Sequence, residues 1–383
     1  MTNFPGKTLY AVKANPDPFV IAGLFEAGIR HFDAASLPEI QQVSTLCPGA
    51  DISFMHPVKS RHAIEHAYFD YGVRNFSFDS LAELDKIVAT TGNSKDLGLL
   101  LRLAVPNGDA ELPLNDKFGC APAQAVSLLR AARKVSARLG ICFHVGSQTM
   151  NPEAYVRALG ICADIMRQMP RTQVDIIDIG GGFPSAYPDM TPPPLSEFKA
   201  AIDRGLDALP NPDRYEFWCE PGRALVAEST SVLVKVELRK GDVLYINDGT
   251  YGSLFDAGHM GFRYPVRLIR PTPDAVYTAG STPAAKIAGT KPAAGKKAML
   301  KPFRFYGPTC DSIDYMPGPF FLPDHIGEGD YIEIGQLGAY GNAMRTGFNG
   351  FDAHEIVRVD TPPMITMYET TTETTDSKEF CIA

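Results

Sequence analysis

TLYAVKANPDPFVIAGLFEAG, residues 8–28, contains the unit from which the fold is read. A short β-rich run, TLYAV at 8–12, passes through Lys13 into PFVIAGLFEAG, whose apolar residues recur at helical spacing. The same strand-then-helix rhythm continues outward. HFDAA (31–35) precedes SLPEIQQVSTL, and RNFSF (74–78) precedes SLAELDKIVATTG. LGLLLRLAV (97–105) precedes APAQAVSLLRAARKVSARLG, and LGICFHV (139–145) precedes PEAYVRALGICADIMRQM. DISFM (51–55), VDIIDI (174–179) and YEFWCE (215–220) bring the strands to eight. Such alternation marks parallel βα units, and eight of them close a (β/α)₈ barrel. An open doubly wound sheet would carry its Gly-rich loop after the first strand, whereas here DIGGGFP follows the seventh.

Beyond residue 222 the rhythm changes. ALVAESTSVLVKVELRKGD, VLYIND, RYPVRLIR, KPFRFYG, DYIEIG and HEIVRV follow one another with turns and no long helix between them. They predict an antiparallel β domain, a small barrel or sandwich, over 223–360 after a barrel at 1–222. The Ala-, Gly-, Pro-, Thr- and Lys-rich stretch 271–297 reads as a mobile insertion, and the Thr-rich segment 361–383 as a flexible tail.

The 383 residues carry 36 Lys and Arg against 44 Asp and Glu, a net charge of −8. That balance disfavours non-specific binding to nucleic acid. No apolar run approaches the ~20 residues of a membrane span, and the N-terminus lacks signal-peptide order. The seven cysteines are widely spaced, odd in number and without a CxxC, which argues against a disulfide framework or a zinc site. A reducing, cytoplasmic location is expected, with most cysteines as small buried hydrophobes.

In a barrel of this kind the reactive groups stand at the C-terminal strand ends. There the sequence places Lys13, Asp33, Arg102, His144 with Ser147, Gly180–Gly182, and Glu220 with Arg223. A lone lysine is ordinarily a solvated surface charge. Lys13 follows the apolar Leu-Tyr-Ala-Val at a strand end, where partial desolvation is expected to lower its pKa and make the amine nucleophilic. Glycines after a seventh strand let backbone N–H groups approach phosphate oxygens, and Arg223 adds a cation there. A barrel lysine, a phosphate cradle and a strand-eight carboxylate together match the needs of pyridoxal phosphate.

YAVKANP, HVGSQ, DIGGGFP, CEPGR, GPTCDSIDYM and GQLGAYGNAMRTGFNGF resemble the fold-type III pyridoxal-phosphate decarboxylases of basic amino acids, in particular the bacterial ornithine decarboxylases. The resemblance covers nearly the whole chain. It implies an alanine racemase-like barrel with a C-terminal β domain, and Lys13 as the Schiff-base lysine. It also implies that His144 stacks on the cofactor ring, and that Ser147, Gly181, Gly182, Arg223 and Tyr340 bind its phosphate. Glu220 would pair with the pyridine nitrogen, with Asp33 and Arg102 nearby.

The resemblance further implies a homodimer with shared sites. Cys310 would reach from the β domain into the partner's barrel to reprotonate Cα, and Asp311 would bind the distal ammonium of a diamino acid. By themselves, Cys310 reads as a buried thiol and Asp311 as a turn residue. The implied reaction is decarboxylation of L-ornithine to putrescine. Lysine or diaminopimelate decarboxylation, or a non-catalytic cofactor-binding homologue, are the alternatives. CDSID differs from the CESGD typical of diaminopimelate decarboxylases. Glu220 disfavours the alanine racemases, where the resemblance would put an Arg at the pyridine nitrogen. Asp256 is the sole carboxylate in YGSLFDAGHMGFRYP, where animal-type relatives carry a second substrate-binding aspartate.

Overall fold

The structure, a computed structural model, describes residues 4–108, 110–112, 117–270 and 299–368. Eight parallel strands close into a barrel: β1 (Lys7–Ala11), β2 (His31–Ala34), β3 (Asp51–Phe54), β4 (Asn75–Phe78), β5 (Gly98–Arg102), β7 (Arg138–Cys142), β9 (Ile176–Asp178) and β10 (Glu216–Cys219). Closure is made where β1 pairs with both β2 and β10. Each of the eight expected barrel strands is present. A ribbon of β6 (Ala110–Leu112) and β8 (Ser147–Thr149) lies outside the barrel.

The barrel interior is filled rather than hollow. Leu9, Met55, Leu100, Cys142, Ile176 and Trp218 form a buried cluster drawn from different strands, the layered packing that eight tilted strands permit. A larger apolar shell joins the outer strand faces to the helices. The first four of those helices start where a side chain satisfies a free N–H. Ser36 accepts from the Glu39 N–H, Ser60 from that of Ala63 and Ser80 from that of Glu83. The connection after β10 is short, a single helical turn over Arg223–Val226.

The second sheet has six strands: β11 (Val232–Lys240), β12 (Val243–Ile246), β13 (Val266–Ile269), β14 (Leu300–Tyr306), β15 (Tyr315–Pro323) and β16 (Tyr331–Ile334), in the order β13-β16-β11-β12-β14-β15. Gly241 turns the chain between β11 and β12 at φ +63°, a conformation that glycine adopts without a Cβ clash. A third apolar cluster joins this sheet to the barrel, with Tyr10, Val12 and Phe32 packed among Val234, Ile246, Phe305 and Ile334.

Three sequence expectations change here. The sheet is antiparallel except for β12 and β14, which run parallel. HEIVRV at 354–359 forms no strand. Ile356 and Val357 are exposed, because no sheet edge among the described residues takes them up. The sixth strand is β15, hidden in the sequence by Pro317, Pro319 and Pro323. Proline is tolerated there because β15 is an edge strand.

Cys47, Cys120, Cys142, Cys162 and Cys219 are buried and Cys310 is exposed, so the buried-thiol reading of Cys310 is corrected. The expected insertion at 271–297 lies outside the described residues. Of the 361–383 tail, the described part up to Tyr368 is tied down. Met367 N–H donates to Glu228 at 3.0 Å, and the Tyr368 hydroxyl donates to the Ala224 carbonyl. Among the described residues no helix is long and apolar enough to cross a membrane.

Candidate active site

Lys13 stands two residues beyond β1 and donates from Nζ to Asp33 Oδ2 at 2.7 Å. Asp33 lies inside β2 with 2% exposure, so its carboxylate is held by the barrel wall. Burial acts to lower the Lys13 pKa. The charges of Asp33, Tyr340 and Glu220, with the Asp33 hydrogen bond, outweigh it and hold the ammonium above the ordinary lysine range. Water still reaches 43% of the Lys13 side chain, which softens both effects. The expected lowering is therefore corrected: desolvation is present, but a carboxylate at contact distance reverses its sign.

His144 follows β7 by two residues, and its Nδ1 accepts the Gly146 N–H at 3.0 Å. Burial, then the charges of Arg102 and Lys13, push its pKa well down, so the imidazole is neutral near pH 7. Arg102 closes β5. Ser147 is not at a barrel strand end as expected but opens the β8 ribbon strand, because β7 stops at Cys142.

Glu220 follows β10, and its N–H donates to the Gly180 carbonyl at 2.8 Å. The carboxyl is buried, and Oε1 has no hydrogen-bond partner among the described residues. Burial and then the charges of Asp178 and Asp33 raise its pKa well above the usual range. Asp178 is a site residue that the sequence reading missed. The available signal was the second of two carboxylates in VDIIDI, at the strand's C-terminal end and two residues ahead of the glycines.

The glycine loop leaves no room for side chains. A Cβ on Gly181 would lie 2.6 Å from the Glu220 carbonyl oxygen and 3.0 Å from His144 Nε2. Gly182, at φ +100°, would place one 2.6 Å from the Gly146 oxygen. Arg223 is 4% exposed, with its guanidinium over the rings of Phe262 and Tyr340 at 4.8 and 5.0 Å. Nη1 donates to the Tyr187 hydroxyl at 2.9 Å, while Nε and Nη2 are buried without a hydrogen-bond acceptor among the described residues. Asp256 Oδ2 approaches Nη2 only to 3.5 Å. Asp256 thus faces the Arg223 cation. Tyr340 adopts φ +62° and its N–H donates to the Ala14 carbonyl at 2.8 Å, which ties it to the residue after Lys13.

Cys310 and Asp311 stand apart from this constellation, on the loop between β14 and β15. Their hydrogen bonds stay within the second sheet's own loops. Cys310 N–H and Sγ point to Asn349 Oδ1 at 3.1 and 3.2 Å, and the Tyr251 hydroxyl donates to Asp311 Oδ2 at 2.6 Å. Asp314, 1% exposed, anchors the loop by accepting from the N–H and hydroxyl of both Thr250 and Thr309. Tyr251, Asn349 and Asp314 were not singled out from the sequence. YGS and FNGF lie 59 and 38 residues from Cys310, so only the fold brings them together.

The barrel mouth fits pyridoxal phosphate on three observations. A buried carboxylate stands after the eighth barrel strand for a ring N–H, a buried guanidinium has unfilled donors for a phosphate among the described residues, and an amine stands beyond the end of the first strand. The comparisons with known proteins agree. Residues 2–227 match the family model described as pyridoxal-dependent decarboxylase, pyridoxal binding domain. The chain is 32% identical over 350 residues to a lysine/ornithine decarboxylase of Selenomonas ruminantium, covering 89% of this chain and 80% of that protein. It superposes on the cadaverine complex of the lysine/ornithine decarboxylase from Vibrio vulnificus with a TM-score of 0.75 at 30% identity, covering 93% and 88% of the two chains. The arginine decarboxylase of Paramecium bursaria Chlorella virus gives 0.75 at 28% identity, covering 91% and 88%.

Proposed function

This chain belongs to the pyridoxal-dependent decarboxylases, which act on basic amino acids with pyridoxal phosphate as cofactor, and on that premise we propose that it converts L-ornithine to putrescine and CO₂. Asp311 carries the choice of a diamino acid. The donors the structure gives it, the Tyr251 hydroxyl and the Ile313 N–H, are both neutral. They hold the carboxyl below its ordinary range and leave its negative charge to be met by a substrate ammonium.

The cofactor supplies a carbonyl that captures the substrate amine and a ring that takes up the electron pair left by departing CO₂. The chain's own residues do the rest. Lys13 must lose its proton before it can bond to that carbonyl, and Asp33 holds the amine in place at the strand end until it does. Glu220 would accept the ring N–H. The Gly181 and Gly182 backbone, Ser147, Tyr340 and the unfilled donors of Arg223 would hold the phosphate. His144, neutral, would cover the ring without adding a charge beside it.

Cys310 would return a proton to Cα in the barrel of a second copy of the chain. The exposed thiol on a loop of the second sheet, hydrogen-bonded to Asn349, supports a homodimer with shared sites. The test is CO₂ release from ornithine, lysine, arginine and diaminopimelate in parallel. Ornithine should give the highest kcat/KM. A higher value for another substrate overturns the ornithine reading while leaving the decarboxylase family intact.

A further inference from the structure

Asp178 ends β9 and is completely buried, yet none of the roles above uses it. Its Oδ1 accepts the Gly180 N–H at 2.9 Å and so sets the first peptide of the glycine loop. Its Oδ2 is buried without a conventional partner among the described residues, as is Glu220 Oε1. The two carboxyls lie within hydrogen-bonding reach of each other. As two carboxylates they are only acceptors and repel. With one proton between them they form a bond.

The surroundings require that proton. Asp178 is faced by Glu220, Asp33 and Arg102, with Cys142 beside it across β7 and the Cys219 thiol on β10. Glu220 also senses Lys13. The two thiols are held neutral, their pKa values raised by burial. Three carboxylates against the cations of Lys13 and Arg102 leave one negative charge uncompensated in a dry site. Asp33 is satisfied by Lys13, so the proton falls to the Asp178–Glu220 pair.

We propose that Asp178 is a positioning residue for the cofactor's ring nitrogen: the pair's single proton rests on Glu220 in the cofactor-free chain, and with a ring N–H at Glu220 it is carried by Asp178, which donates it to Glu220 and keeps that carboxylate ionised. A donor on Glu220 makes that carboxylate a weaker base, so the ring, not Glu220, keeps the second proton. The same side chain fixes the glycine loop through Oδ1 and thereby links the phosphate cradle to the ring-nitrogen contact. This inference rests on the assignment of Glu220 to the ring nitrogen.

The experiment uses the full chain loaded with pyridoxal phosphate ¹⁵N-labelled in the ring, as wild type, Asp178→Asn, Asp178→Ala and Glu220→Gln. The asparagine amide reproduces protonated Asp178: its oxygen takes the Gly180 N–H and its NH₂ faces Glu220. Asp178→Asn should keep the wild-type ring ¹⁵N shift and bind the cofactor within about threefold of wild type. Asp178→Ala should move the ring nitrogen towards its unprotonated shift and weaken cofactor binding about ten- to hundredfold. If Asp178→Asn itself loses the protonated shift, Asp178 acts as an anion and the inference is wrong. If Asp178→Ala matches Asp178→Asn in both readouts, Asp178 is only a scaffold and the inference is equally wrong. An unchanged ring shift in Glu220→Gln refutes the Glu220 assignment separately. Should Asp178→Ala not fold, infrared difference spectra of wild type against Asp178→Asn decide. A protonated-carboxyl band that the variant lacks supports the inference, and its absence from wild type overturns it.

Discussion

Lys13 Nζ lies 2.7 Å from Asp33 Oδ2, so the amine that is to bond the cofactor is held as an ammonium by a carboxylate rigid in the barrel wall. Removing that carboxylate should free the amine. In Asp33→Asn the Lys13 pKa falls, and the unprotonated fraction at pH 8 rises tenfold for each unit of fall. The cofactor-free chain should then react faster with an amine-acylating reagent, with Lys13 as the site. An unchanged rate means that Asp33 does not control the amine. Borohydride reduction of the loaded wild type should label the peptide containing Lys13. Lys13→Ala should remove that label and lower kcat at least about a hundredfold.

Gly181 tests the cradle. Alanine there would press its Cβ to 2.6 Å from the Glu220 carbonyl oxygen, and this is backbone that cannot rotate aside. An overpacking strain of roughly 1–3 kcal/mol should appear as weaker cofactor binding, about ten- to hundredfold in Kd. Fluorescence titration of the cofactor measures it. Wild-type affinity in Gly181→Ala would mean that the cofactor does not use this loop.

Asp311 and Tyr251 test the substrate contact. Asp311→Asn should lower kcat/KM for ornithine by about one to two powers of ten, and far less for norleucine, which lacks the distal amine. Tm should hardly move. Tyr251→Phe should reproduce part of the loss, since the hydroxyl orients the carboxylate. Equal losses for ornithine and norleucine would show that Asp311 only shapes its turn.

Cys310 tests the shared site. Lys13→Ala and Cys310→Ala chains should each be inactive, and mixing them should recover up to about a quarter of wild-type activity. Half of randomly formed dimers are mixed, and each mixed dimer has one intact site of two. No recovery despite demonstrated subunit exchange argues for sites built within one chain.

Glu216 tests the other end of the barrel, where stability and activity separate. Its carboxylate meets Lys7 at 2.7 Å, Arg138 at 2.6 Å and the Trp218 indole N–H at 2.6 Å. Burial favours the neutral acid, but these three partners outweigh it and hold the pKa down to about 2. A depressed carboxylate contributes stability above its unfolded pKa near 4.5 and loses it as the pH falls towards 2. Glu216→Gln should cost about 1–2 kcal/mol at pH 7, allowing for its partial exposure, and flatten the stability loss between pH 4.5 and 2. Activity should be unchanged, because the bottom face of such a barrel serves stability.

The local sequence determined the eight barrel strands and the place of Lys13, His144, the glycines and Glu220 at their ends. Strand and helix periodicities differ, and barrel closure carries each C-terminal strand end to one mouth whatever the rest of the chain does. Sequence could not order the second sheet, because β15 hides behind its prolines and HEIVRV has strand composition but no edge to join. Nor could it assign charge. The sign of the Lys13 shift, the meeting of Asp178 with Glu220 and the turn of Asp256 towards Arg223 depend on separations of a few ångströms between residues 20 or more positions apart. At such distances in a dry site the Coulomb and desolvation energies nearly cancel, and tertiary packing alone decides which prevails.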